Sequence, residues 1–176
     1  MNNTKSIQEQ TLFEQIDKTI FMEQKHSLLE AKQKIEAFCA YQERCDQEIR
    51  KKIKSWGLYG DDVDILISDL IQNNFLNEER FASAFVSGKF RIKRWGRIKI
   101  RQHLKQKNIS DYSINMGLKE IDEEEYLQNL HDLLETKNRL ITAKNKWDRL
   151  AKLQRYIQSK GYENELVREA LDQLVN

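Results

Sequence analysis

The passage Leu153-Gln154-Arg155-Tyr156-Ile157-Gln158-Ser159-Lys160-Gly161-Tyr162 is written twice more in this chain, in degenerate form. It recurs as Ile49-Arg50-Lys51-Lys52-Ile53-Lys54-Ser55-Trp56-Gly57-Leu58 and as Ile100-Arg101-Gln102-His103-Leu104-Lys105-Gln106-Lys107-Asn108-Ile109. Each copy has apolar residues eight and four positions before a pivot at Gly57, Asn108 or Gly161, the spacing of one helix face. A second stripe follows each pivot at matched offsets: Val63, Ile67 and Leu70; Ile114, Leu118 and Ile121; Val167, Leu171 and Leu174. One helix therefore runs into each pivot and another leaves it. Glycine suits a pivot because helices commonly end on a left-handed residue, which Gly adopts at little cost and Asn at less cost than most residues.

Working outward, each pair of helices is preceded by a leader stripe. Leu28, Ala31, Ile35 and Phe38 form the first, from Ser27 to about Tyr41. The second starts at Asn77, a good N-cap, and turns Phe81, Ala82, Phe85 and Val86 inward. The third starts at Asp122, which with Glu125 makes a capping-box pattern, and carries Tyr126, Leu127, Leu130, Leu133 and Leu134. The stretch from Glu135 to Trp147 is longer than its counterpart in the second copy, which implies an extended leader helix or an inserted loop. The expected fold is all-α: three tandem three-helix repeats stacked into an elongated, curved body. Repeat 1 spans 27–75, repeat 2 spans 76–121 and repeat 3 spans 122–176, after an N-terminal tail at 1–26 whose scattered apolar residues (Leu12, Phe13, Ile16, Ile20, Phe21) match nothing in the repeat.

Composition agrees. A period near 50 divides 176 residues into modules too small for separate cores, so neighbours must stack. There is no proline, and 33% of residues are charged, both favouring helix and much surface. No apolar run approaches the ~20 residues that span a bilayer, and the start Met1-Asn2-Asn3-Thr4 is no signal peptide. A cytoplasmic location is expected, with Cys39 and Cys45 as reduced packing residues on helices.

The net charge of +2 hides a segregated pattern. From Phe81 to Ser110 there is no acid, against nine bases: Lys89, Arg91, Lys93, Arg94, Arg97, Lys99, Arg101, Lys105 and Lys107. An acidic segment follows (Asp111, Glu120, Asp122, Glu123, Glu124, Glu125, Asp132, Glu135). A second basic block then contains Lys144, Lys146, Arg149 and Lys152. If the repeats stack in register, the two basic blocks lie near one another and make a stripe suited to a phosphate backbone. These thirteen bases are the candidate nucleic-acid or filament contacts. A second reading stays open, in which they are solvated surface neutralised by acidic helices across the fold. Ile92, Ile100 and Leu104 form the inward stripe of the basic region, and Trp56, Trp95 and Trp147 read as packing residues.

Catalysis finds no support in the sequence. His26, His103 and His131 make no two-ligand helix motif, and Gly57-Leu58-Tyr59-Gly60 lacks the pattern of a phosphate-cradling loop. Asp61-Asp62 and Glu78-Glu79 suit helix N-termini. The expectation is a binding protein with no catalytic residue, metal or cofactor.

The run Asn74-Phe75-Leu76-Asn77-Glu78-Glu79-Arg80-Phe81-Ala82, then Phe85, then Trp95-Gly96-Arg97-Ile98-Lys99-Ile100 and Leu104, resembles the RecX family, regulators of the RecA recombinase. Tyr41-Gln42-Glu43-Arg44 with Glu48-Ile49, and Lys160-Gly161-Tyr162 with Val167, are similar to its first and third repeats, so the resemblance covers about Ala31 to Leu174. Asn77 and Asn108 stand where the family usually has Asp and Gly, and each can do the same capping or left-handed job. The resemblance implies a monomeric helical protein that lies in the groove of the RecA–DNA filament. It would restrain ATP hydrolysis, strand exchange and self-cleavage of the damage-response repressor. The alternative is a general nucleic-acid-binding protein whose repeats act as helix-turn-helix-like modules.

Overall fold

The computed structural model describes residues 26–175, so the expectation for the N-terminal tail lies outside the described residues. Those residues contain nine α-helices and no strand. Repeat 1 holds α1 (Leu28–Tyr41), α2 (Asp46–Lys54) and α3 (Asp61–Gln72). Repeat 2 holds α4 (Glu78–Lys93), α5 (Arg97–Gln106) and α6 (Asp111–Lys119), and repeat 3 holds α7 (Glu123–Leu140), α8 (Lys146–Lys160) and α9 (Asn164–Val175). The all-α repeat read from the sequence is thus the fold observed. The chain divides into two compact units, one ending at Asn77 and one beginning at Glu78.

All three pivots are left-handed, with φ of 84° at Gly57, 59° at Asn108 and 87° at Gly161. Local chemistry starts the helices as well. Ser27 and Glu30 form a complete capping box, the Asp122 carboxylate accepts the Glu125 N–H at 2.8 Å, and Asn145 accepts that of Asp148 at 2.9 Å. The extra length before the third pivot lies mostly in α8, which has 15 residues against 10 in α5, rather than in an extended leader or inserted loop, each of which gains little.

In the first unit, Ala31, Ile35, Ile49, Ile53, Leu58, Val63, Ile67 and Leu70 are buried together, the face that the spacing demands, with Trp56 partly buried against it. Cys39 lies in this core, where burial pushes its thiol up to about 11. Cys45 is equally buried but precedes α2 as its N-cap residue, outside the helix where the sequence reading had set it. Neither forms a disulfide.

In the second unit, α4 and α6 pack closely because Gly117 lies against the Ala82 backbone. A Cβ there would stand 3.2 Å from the Ala82 carbonyl carbon and from Val86 Cγ2. Phe81, Ala82, Val86 and Phe90 of α4 are buried with Ile100, Leu104, Ile114 and Leu118. Two apolar expectations fail. Ile92 is 77% exposed rather than inward, because it follows Phe90 by two residues and so lies on the far side of α4 from the buried 82, 86, 90 row. Trp147 is 79% exposed rather than a packing residue: it stands in the first turn of α8, beside the α8–α9 groove lined by Leu150, Ala151 and Leu171.

Candidate nucleic-acid interface

The acid-free segment folds into α4, a tight turn and α5. Arg94 ends α4 with φ of 50°, and Trp95 follows it, donating its N–H to the Lys89 carbonyl at 3.1 Å. Two residues later the chain meets the end of α8. The Gly96 N–H bonds the Lys160 carbonyl at 2.9 Å, and the Ile98 N–H bonds the Gly161 carbonyl at 3.1 Å. The first N–H groups of one helix and the last carbonyls of another, both orphaned within their own helices, satisfy each other, with the two macrodipoles head to tail. Only glycine allows the approach. A Cβ on Gly96 would overlap the Gly161 carbonyl, and one on Gly161 would overlap Lys99.

Aromatic residues seal this joint. Tyr126 of α7 accepts the Arg97 N–H at 3.0 Å and donates its hydroxyl to Glu163 Oε2 at 2.7 Å. It lies between Phe90 and Tyr162, at ring-centroid distances of 5.9 and 4.8 Å. The Arg97 guanidinium covers the Tyr126 ring at 4.0 Å and bonds Glu123 at 2.5 Å. Trp95-Gly96-Arg97 is therefore, first, the joint between repeats 2 and 3.

The remaining bases separate by helical phase. Arg97, Arg101 and Lys105, four apart on α5, all face acids or amides: Arg101 bonds Asn115 at 2.7 Å and lies 3.8 Å from Asp111, and Lys105 pairs with Asp111 at 2.6 Å. Arg94 stands 3.9 Å from Asp132. Lys99, His103 and Lys107 occupy a second phase and turn toward aromatic rings. The His103 imidazole stacks on Trp95 at 4.6 Å, the Lys99 and Lys89 ammonium groups sit 4.8 and 5.2 Å from the Trp95 ring centre, and Lys107 lies 6.0 Å from that of Phe81. Lys89 also covers Phe85 at 5.0 Å. Trp95 is thus half-buried in the turn, flanked by α4 and α5. Burial and then the charges of Lys99, Lys89 and Lys107 hold the His103 imidazole below its ordinary value.

Arg91 and Lys93 are exposed at the end of α4, and Lys144 and Lys146 around the start of α8. Arg149 and Lys152 are taken up within repeat 3: Arg149 bonds the Asn138 side chain at 2.8 Å, and Lys152 bonds Asp148 at 2.8 Å and the Thr142 carbonyl at 3.0 Å. Lys99 touches α8 at its far end, donating to the Ser159 carbonyl at 2.8 Å. At ~1.5 Å per residue, that is about 20 Å along the helix from Lys146. The expected continuous stripe thus divides into a cluster on α4–α5 and separate bases at the start of α8.

Sequence reading placed Tyr126 in an inward stripe and weighed His103 only as a metal ligand, without giving either a role in the interface, and passed over Glu163. His103 had a legible signal, since it continues the Lys99 row at four-residue spacing. The partners of Tyr126 and Glu163 become visible only once α8 meets α5. Among the described residues no group of three His, Cys, Asp or Glu side chains could hold a metal ion, and no helix is long and apolar enough to cross a membrane.

Comparison with known proteins follows the same division. A family model described as "RecX, second three-helix domain" matches residues 77–118, and one described as "RecX, third three-helix domain" matches 123–171. The chain is 29% identical over 135 residues to "Regulatory protein RecX" of Clostridium perfringens (strain 13 / Type A), covering 76% of this chain and 63% of that one. It is 26% identical over 138 residues to the protein of that name from Lactobacillus johnsonii, covering 78% and 51% of the two chains. The match in Prosthecochloris aestuarii is 28% identical and covers 78% and 89%. The chain thus spans between half and two thirds of the first two of these relatives. The crystal structure of RecX from Lactobacillus salivarius superposes with a TM-score of 0.73 at 18% identity, over 84% of this chain and 96% of that one, a likeness of fold.

Proposed function

The chain belongs to the RecX family of regulatory proteins, and from that premise we propose that it regulates the RecA recombinase. In this reading it binds the recombinase filament and the DNA within it, and restrains ATP hydrolysis, strand exchange and coprotease activity. It acts as a monomer in the cytoplasm, by occupancy rather than by catalysis.

The observation that carries the reading is the division of α5. One phase of its bases is spent inside the protein, on Glu123, Asn115 and Asp111. The other gathers cations over aromatic rings in a segment without acids, an arrangement that costs repulsion unless an anion is to be met. Of the thirteen candidate bases, Lys89, Lys99 and Lys107 are therefore assigned to the partner, and exposed Arg91, Lys93, Lys144 and Lys146 are left available to it outside that cluster. Arg94, Arg97, Arg101, Lys105, Arg149 and Lys152 are assigned to the fold.

The test is the ATPase rate of the cognate recombinase on single-stranded DNA, titrated with this protein. A fall in rate at well below one protein per recombinase protomer supports filament regulation. An unchanged rate at every ratio, with the protein folded, overturns it, and sequence-selective duplex binding without recombinase would favour helix-turn-helix-like modules instead.

A further inference from the structure

Lys89, Lys99 and His103 come from two helices, yet they converge on one indole. Lys89 lies on α4, Trp95 in the turn, and Lys99 and His103 one helical turn apart on α5. The two ammonium groups and the imidazole all lie within 5.2 Å of the Trp95 ring centre. The two ammonium groups gathered on one ring repel each other, and a proton on His103, four residues from Lys99, would add a third charge to the cluster. Attraction to the indole face offsets part of that cost.

The charges acting on His103 are all positive: Lys89 from α4, and Lys99 and Lys107 from α5 itself. From α8, the Ser159 carbonyl reaches the cluster only through its bond to Lys99. The imidazole is therefore the neutral member of the group, and the one whose charge an arriving anion would change. Phe81 is buried, but the partly exposed rings of Phe85 and Trp95, flanked by Lys89 and Lys99, suit a single strand, whose bases are free to stack, better than a duplex, whose bases already stack on one another.

We propose that Lys89, Lys99 and His103, gathered around Trp95, receive one phosphodiester group of single-stranded DNA, and that His103 takes up a proton from solvent as the phosphate binds. The neutral imidazole becomes an imidazolium and donates an N–H to a phosphate oxygen, while the two lysines supply the standing charge. The proposal deepens the reading above by naming the DNA part of its target. It is tested without recombinase, so that either can fail alone.

The experiment follows the imidazole signals of the full-length protein by NMR across pH, at low salt, with and without a short oligothymidylate. His26 and His131 serve as internal references. The His103 midpoint should lie below the ordinary histidine value in the free protein and rise by about one pH unit when the strand is bound, a tenfold linkage between proton and strand. Strand affinity should accordingly weaken several-fold between about pH 5.5 and 7.5, and His103→Gln should flatten that dependence. Binding that leaves His103 unmoved overturns the proposal, as does no binding at any pH. A duplex of equal length that moves His103 at lower concentration overturns the single-strand assignment.

Discussion

Tyr126 and Tyr162 stack with centroids 4.8 Å apart, both fully buried, and their hydroxyls meet different fates. That of Tyr126 accepts the Arg97 N–H and donates to Glu163, whereas that of Tyr162 is buried with no hydrogen-bond partner among the described residues. Removing a satisfied buried hydroxyl strands its partners at a cost of about 1–3 kcal/mol, while removing an unsatisfied one relieves a desolvation penalty. Tyr126→Phe should therefore lower the thermal midpoint by several degrees, and Tyr162→Phe should leave it unchanged or raise it, as calorimetry would show. Glu78 gives a pH-dependent counterpart. Its Oε1 accepts from the Ser110 hydroxyl at 2.5 Å, the Ser113 hydroxyl at 2.8 Å and the Ser110 N–H at 3.3 Å, tying the start of α4 to the start of α6. Burial pushes its carboxyl up, but these bonds outweigh burial and leave it below the ordinary glutamate value. A carboxyl depressed in the folded state adds stability that is complete above its ordinary value, about 4.3, and is lost as pH falls through the folded value. Glu78→Gln should lower the midpoint at pH 7 and close the gap with the parent protein toward pH 3, in a series of thermal melts across pH.

Helix α5 combines both roles, and its two phases predict opposite results for the same kind of substitution. Arg97→Glu would set a third carboxylate against Glu123 and Glu163, beside the carbonyl end of α8, so the protein should lose several degrees of thermal stability. Lys89→Glu faces rings and no acid, and should weaken strand binding about tenfold at moderate salt while the melt stays within a few degrees of the parent, whereas Lys99→Glu would also lose the bond to the Ser159 carbonyl. Gly96→Ala should be the most damaging single change, because its Cβ overlaps the Gly161 carbonyl and breaks the Gly96–Lys160 bond. Amide exchange at Ile98 should then rise together with exchange at Gly161. The sequence reading foretold the helices, their pivots and their apolar faces because each depends on neighbours within about two turns, where periodicity operates. It also marked Trp95-Gly96-Arg97. It could not say why that glycine is needed, since the answer lies some sixty residues away at Lys160 and Gly161. The same limit hid which arginines were already spent. Arg97 finds Glu123, and Arg149 finds Asn138, through packing between helices rather than through spacing along one.

Charge at the scale of the molecule restates that division as a measurable slope. The net charge of +2 gives no strong overall field, so attraction to a phosphate backbone must come from local clustering. Each phosphate neutralised on a single strand contributes about −0.7 to the slope of log affinity against log salt. All thirteen candidate bases acting together would give a slope near −9, whereas Lys89, Lys99, Lys107 and a protonated His103 alone would give about −3. Six of the thirteen are held by Glu123, Asp111, Asn115, Asp132, Asn138 and Asp148, and freeing them would unmake the contacts that order repeats 2 and 3. The shallow value is therefore expected from fluorescence anisotropy of a labelled oligothymidylate between about 20 and 200 mM salt at pH 6. It should fall by roughly one phosphate equivalent at pH 7.5, where His103 is neutral in the free protein and its share of counterion release shrinks. A slope steeper than about −5 would require Arg91, Lys93, Lys144 and Lys146 to join the contact, extending the strand's path from the α4–α5 cluster to the start of α8.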